Sequence, residues 1–208
     1  MFWQVLTGFE TSVLVTFVLA GLLLNITPGA DFIFITTSGI SGGPKVGIAA
    51  AVGVNLGVVV HIAMAAAGVS ALLLAYPAAY DAIRYLGAAY LLYIAWQAWT
   101  DRSALGKGRA AQSARAALRR GFITNVLNPK TALFVFAFIP QFTDPAIGVV
   151  WMQILILGGI FLINGFLFVL VLGTTAGLFS EFLRARVRIL NKITAILFGG
   201  LAARLIID

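Results

Sequence analysis

Leu22-Leu23-Leu24-Asn25-Ile26-Thr27-Pro28-Gly29-Ala30-Asp31-Phe32-Ile33-Phe34-Ile35 decides how this chain must fold. The stretch is nearly pure hydrocarbon, yet it holds a proline and, three residues on, a carboxylate. The same interruption recurs in Asn125-Val126-Leu127-Asn128-Pro129-Lys130, which leads into Thr131-Ala132-Leu133-Phe134-Val135-Phe136. One copy carries an acid beside the proline and the other a base. A charge near the centre of a bilayer costs about 3 kcal/mol on insertion scales, so it is rarely kept without a use. Two interrupted apolar segments in matching places point to a binding site built from broken helices.

Composition makes the bilayer the solvent. The chain has 208 residues, 61% hydrophobic and 10% charged, with a mean hydropathy of +1.03. Soluble domains carry about 25% charged residues. At roughly 20 residues per span the chain holds about six helices and no separate soluble domain. The apolar runs are continuous rather than alternating, which argues against barrel strands. The expected fold class is therefore an all-α integral membrane protein. It has six transmembrane helices arranged as two inverted three-helix repeats, with helices 1 and 4 broken by proline. Cysteine is absent and His61 is the only histidine. Disulfides, thiol relays and histidine or thiolate metal clusters are thus excluded, and neither a cofactor nor a metal is expected. The N-terminal stretch lacks a basic n-region and a small-residue cleavage signal, so its apolar run is expected to be a retained helix.

The spans read as about 10–37, 47–75, 82–100, 121–142, 148–178 and 191–207. Repeat 1 covers about 1–100, a basic cytoplasmic linker about 101–120, and repeat 2 about 121–208, all within one transmembrane domain, 1–208. Arg102, Lys107, Arg109, Arg115, Arg119 and Arg120 fall between spans three and four. Arg184, Arg186, Arg188 and Lys192 fall between five and six, and Lys45 between one and two. The opposite loops hold Asp81 and Asp144, with Arg84 alone on the basic side. The net charge of +7 is thus an orientation signal rather than a nucleic-acid footprint, and the positive-inside rule puts both termini on the non-cytoplasmic side of a bacterial-type inner membrane. Residues 108–120 read either as an interfacial helix or as a solvated basic loop.

Aligning Pro28 with Pro129 pairs Thr27 with Asn128 and Phe32 with Leu133. Gly21 and Asn25 match Gly121 and Asn125 with one residue inserted, and Asn55 roughly matches Asn164. Three spans per repeat is an odd number, so the second half enters the membrane inverted. That arrangement supports alternating access around a site between the repeats. A proline within a helix frees a carbonyl on the preceding turn, and in hydrocarbon that group must face protein, water or ligand. N–H ends of half-helices favour carboxylates and carbonyl ends favour cations. Two broken helices of opposite direction therefore suit a small zwitterion.

Thr27-Pro28-Gly29-Ala30-Asp31 resembles the T-P-G-P-[DN] signature of the LysE/RhtB amino-acid exporter family. Ser41-Gly42-Gly43 with Gly47, Gly53, Gly57 and His61 resembles its second span, and Gly87-Ala88-Ala89-Tyr90-Leu91-Leu92-Tyr93 its third. Phe122, Asn125, Leu127-Asn128-Pro129-Lys130 and Phe138-Ile139-Pro140-Gln141-Phe142 resemble the fourth, and Arg188 to Leu201 the last. The resemblance implies export of amino acids or close derivatives in exchange for protons. Ala30 stands where the family has a second proline, and Val58 where members often carry an acid.

The candidate substrate-binding or coupling residues are Asp31, Thr27, Pro28, Gly29, Asn55, His61, Asn125, Asn128, Pro129, Lys130 and Asn164. Asp31 is the contact for the substrate amine, the proton carrier, or a structural residue in an ion pair or a half-helix cap. Lys130 binds a substrate carboxylate, pairs with Asp31, or snorkels to the headgroups. The four asparagines line a cavity or serve as interhelical glue. Gly53 and Gly57 read as a packing face, and Phe134, Phe136 and Phe138 as bulk. The expected partners are a small zwitterionic amino acid, protons as coupling ion and the lipid bilayer, with a homodimer left open and no nucleic acid. A carrier of another solute or cation is the alternative. A membrane enzyme is disfavoured, since no nucleophile–base pair or acidic metal cluster is present.

Overall fold

The computed structural model describes residues 2–27, 29–76, 78–100, 111 and 113–207, without the side chains of Leu74, Tyr80, residues 176–185, Val187, Arg188, Arg204 and Leu205. Among the described residues every regular element is helical and none is a strand. A helix satisfies its backbone polar groups within its own segment, as hydrocarbon requires.

Helix α1 (Phe2–Gly8) turns by 88° into α2 (Thr11–Ile26). α2 stops at Ile26 and α3 (Ala30–Gly42) begins four residues later, so the first expected span is two helices. Pro28, expected to cause this break, lies outside the described residues. Gly43 joins α3 to α4 (Pro44–Met64) at φ 77°, a left-handed value that side chains disfavour. Pro44 opens α4, where a missing N–H costs nothing. The helix runs on through a π turn (Ala65–Val69) into α5 (Ser70–Ala75), followed by α6 (Ala79–Thr100). The second break separates α7 (Ala114–Val126) from α8 (Pro129–Leu133), with a bend of 51°. Pro140 offers no N–H to the turn before it, and there the chain widens into a π turn (Phe134–Phe138) and then tightens into a 3-10 turn (Ile139–Phe142). After a second 3-10 turn (Pro145–Ile147) come α9 (Val150–Thr174) and α10 (Ala176–Ile207).

Two boundaries differ from expectation. Residues 114–120 of the basic linker are neither a loop nor a separate interfacial helix; they are the first turns of α7. Ser113 caps that helix by accepting from the Ala116 N–H, and the Ala-, Arg- and Leu-rich run continues without a breaker. Arg102, Lys107 and Arg109 lie outside the described residues. The basic stretch from Arg184 to Lys192 was expected in a loop, but its backbone is part of the 32-residue α10. No proline interrupts 176–207, and arginine and leucine are good helix formers.

Among the described residues two helices, Pro44–Leu73 and Val150–Thr174, are long and apolar enough to cross a bilayer. The number rises to four if Phe2–Gly8 with Thr11–Ile26, and Ala114–Val126 with Pro129–Phe142, each count as one bent span. Large apolar side chains such as Leu86, Leu127, Ile163 and Ile196 are exposed, as a lipid-facing surface allows. Trp96, Trp99, Tyr93, Trp3 and Trp151 are exposed as well, which an interfacial aromatic belt requires.

α4 packs against α7, α9 and α3, while α6 packs on α10. Gly53 and Gly57 make the close approach of α4 to α7. A Cβ at Gly53 would run into the Leu118 carbonyl, and one at Gly57 would sit 2.6 Å from Asn125 Oδ1. Gly53→Leu is therefore expected to push α4 and α7 apart and lower the melting temperature in detergent by about 5 °C or more. Gly68→Ala, where nothing lies within 4 Å, should melt like the wild type. The buried side chains form two apolar cores. Phe17, Phe134, Phe138 and Phe161 belong to one, and Phe32, Ile35, Val169 and Leu172 to the other. Phe134 lies 4.7 Å from both Phe138 and Phe161, ring centre to ring centre. Phe134 and Phe138 are thus core bulk, as expected.

Candidate functional site

The two breaks meet, and each is completed by the other. A proline has no N–H to give the carbonyl four residues before it. For Pro129 that carbonyl belongs to Asn125. It accepts instead from the Asn128 N–H at 2.8 Å and faces His61 Nε2 at 3.1 Å. A carbonyl only accepts, so Nε2 carries the proton, and His61 Nδ1 is left buried without a partner. For Pro28 the freed carbonyl is that of Leu24. Lys130 Nζ donates to it at 2.8 Å and to the Thr27 carbonyl at 2.7 Å. A cation thus stands at the carbonyl end of α2, where the helix dipole favours it. Lys130 neither snorkels nor reaches the carboxylate of Asp31 directly, though the two charges act on each other through space. Tyr90 fixes Lys130 further by donating from its hydroxyl to the Lys130 carbonyl.

Asp31 sits in the first turn of α3, where the dipole favours an anion. Its Oδ2 accepts from Asn125 Nδ2 at 2.8 Å, Asn128 Nδ2 at 2.7 Å and Thr131 Oγ1 at 3.3 Å. Asn128 works in both directions, because its Oδ1 also accepts from the Lys130 N–H at 3.0 Å and so caps α8. Asp31 Oδ1 is buried without a hydrogen-bond partner. An unsatisfied buried polar atom costs about 1–3 kcal/mol, and more when charged. This oxygen is free to take a cationic donor.

A cavity opens at this junction, lined from both apolar cores. Leu24, Phe32, Val54, Val58, Phe161 and Val169 form its apolar wall. The cavity volume is about 50 Å³, several times what one water needs. Of the expected residues, Thr27, Gly29, Asp31, Asn55, Asn125, Asn128 and Lys130 line it. Pro129 begins α8 beside it, and His61 touches the site only through the Asn125 carbonyl. Asn164 stands apart, donating to the Val18 carbonyl at 3.2 Å, which is the glue role. Asn55 donates to its own helix at Ala51. Thr27 pairs its hydroxyl with Thr194 at 3.0 Å, tying the break to α10.

Sequence reasoning missed Thr131, Tyr90 and Asn25. Thr131 lies three residues past Asn128, on the same helical face, and that spacing was the available signal. Tyr90 carried no signal that set it apart from other tyrosines. Asn25 stood in the first stretch quoted but entered only as a match to Asn125.

A model of the LysE type translocator family matches residues 22–208. An uncharacterized membrane protein of Vibrio cholerae is 32% identical over 151 residues, covering 72% of this chain and 73% of its own length. The leucine efflux protein of Enterobacter sp. is 30% identical over 197 residues, 91% of this chain and 93% of that one. The leucine efflux protein of Klebsiella pneumoniae is 29% identical over the same length, with 91% and 92% covered. No solved structure matches.

Proposed function

Because the chain belongs to the LysE type translocator family, we propose that it exports amino acids or close derivatives from the cytoplasm by proton antiport with alternating access. Family membership makes it a membrane transporter rather than an enzyme. One observation carries the reading: a carboxylate oxygen, Asp31 Oδ1, is left unpaired at a cavity where two broken helices meet. In this proposal Asp31 Oδ1 takes the substrate's ammonium, and the third N–H of Lys130, not used on Leu24 and Thr27, faces its carboxylate. The apolar wall suits an aliphatic side chain, which agrees with the leucine efflux names of two relatives.

Among the described residues Asp31 is the one carboxylate lining the cavity. If ammonium and proton occupy it in turn, outward substrate movement is coupled to inward proton movement. Alternating access would part the two breaks, which hold each other through a small set of side-chain hydrogen bonds. The surrounding architecture is six spans in one domain over 1–208, two inverted repeats, and both termini on the non-cytoplasmic side of the inner membrane. The distribution of basic residues supports that orientation. Proteoliposomes loaded with unlabelled leucine are expected to take up labelled leucine by counterflow, faster with an imposed pH gradient. No exchange of any amino acid, with or without the gradient, would sink the proposal.

A further inference from the structure

The cavity also holds a carboxamide that, among the described residues, binds nothing at either end. Asn25 lines it, and its Nδ2 is buried without an acceptor. Among the described residues no protein group hydrogen-bonds its carboxamide.

The other half of the chain shows what such an asparagine does. Gly21 and Asn25 precede Pro28 as Gly121 and Asn125 precede Pro129, with one residue more in the second copy. Gly21 rests on α9, where an added Cβ would lie 3.2 Å from Phe161. Gly121 rests on α4, 2.5 Å from the Ala50 carbonyl by the same measure. Each asparagine then packs on a glycine of the crossing helix. A Cβ at Gly57 would meet Asn125 Oδ1 at 2.6 Å, and one at Gly165 would meet Asn25 Nδ2 at 3.3 Å. In this matched setting Asn125 Nδ2 donates to the carboxylate of Asp31. Asp31 is the third residue after Pro28, and the third residue after Pro129 is Ala132. Asn25 therefore has the setting of a carboxylate-binding asparagine and, among the described residues, no carboxylate to bind.

We infer that Asn25 receives the carboxylate of the transported molecule. With Asp31 Oδ1 at the ammonium, the cavity then reads both ends of a zwitterion. The terminal torsion of asparagine is broad and roughly two-fold, so its NH₂ turns toward the ligand without disturbing α2. A neutral donor suits this place beside the third N–H of Lys130, because Lys130 already supplies the positive charge there and is held by the Leu24 and Thr27 carbonyls. Asn25 is thereby a specificity-determining residue. It favours free α-amino acids over amines of the same shape that lack the carboxylate. The inference rests on the reading of the chain as an amino-acid exporter.

The test compares leucine with 3-methylbutylamine, which is leucine without its carboxylate, by ligand-induced thermal shift on the purified full chain. Asn25→Leu keeps the side-chain bulk and removes the donor. It should lower the apparent affinity for leucine by about tenfold or more and leave that for the amine unchanged, so that the preference for leucine collapses. The empty variant should melt no lower than wild type, because an unpaired polar group has been removed. If Asn25→Leu does not fold, Asn25→Asp provides the second arm. A carboxylate there repels leucine and leaves amine binding intact or tighter. An unchanged preference for leucine in a folded variant overturns the inference, as does equal loss of both ligands. Wild-type protein that responds to no amino acid overturns the exporter reading itself, which separates the two failures.

Discussion

Asp31→Asn is expected to lose gradient-driven export by roughly a hundredfold or more, with the fold retained. The geometry explains both halves of that result. The asparagine oxygen takes the place of Oδ2 and still accepts from Asn125 and Asn128, the two shortest bonds at the site. The contact between the breaks therefore survives. The amide NH₂ then occupies the place of Oδ1, the oxygen that is buried and unpaired in the wild type. A donor now stands where an acceptor is needed, and an ammonium cannot bind to it. The same substitution removes the carboxylate of Asp31 from the cavity lining, and with it the group assigned to the proton. Export driven by a pH gradient from inverted vesicles or proteoliposomes measures the loss, and size exclusion with thermal melting verifies the fold. Normal driven export by a folded variant would reduce Asp31 to a structural role.

Lys130→Met is expected to act chiefly on stability. It strands the Leu24 and Thr27 carbonyls, which lose their donor, at about 1–3 kcal/mol for each unsatisfied group. It also leaves Asp31 without the charge that acts on it through space. Removing one member of a buried charge pair costs about 3–5 kcal/mol. Together these should lower the melting temperature by about 10 °C or more. Thermal melts of Lys130→Met and of the double variant Asp31→Asn/Lys130→Met separate the two contributions. If the charges are coupled, the double variant melts above Lys130→Met, because the carboxylate no longer stands alone. A double variant that melts no higher would leave the carbonyl contacts as the whole contribution of Lys130 to stability.

Much of this site was legible because proline and charge are conspicuous in hydrocarbon. Pro129, Asp31 and Lys130 each break the apolar pattern on their own, and the helix chemistry of freed carbonyls told what the breaks would need. The recipient of each group was not legible. Lys130 has a long flexible stem, and sequence alone left it three destinations; the one it takes, the carbonyl end of α2, depends on α2 and α8 being side by side. Tyr90 is in the same position, since its bond to Lys130 crosses between α6 and α8. The extent of α10 was not legible from charge, because Arg184, Arg186 and Arg188 separate two apolar runs without ending a helix; arginine propagates one. Gly53 and Gly57 were legible as packing residues, for small residues four apart on a helix share one face. The partner they pack on, α7, is set by how the helices cross and not by the spacing of the glycines.

The most direct measurement is leucine-induced thermal stabilisation of wild type and Asp31→Asn side by side, at one pH and equal protein concentration. A ligand that binds only the folded state raises the melting temperature by mass action. Stabilisation of the wild type that disappears in a folded Asp31→Asn is the predicted result. Equal stabilisation of both proteins would contradict Asp31 as the site of the substrate's ammonium.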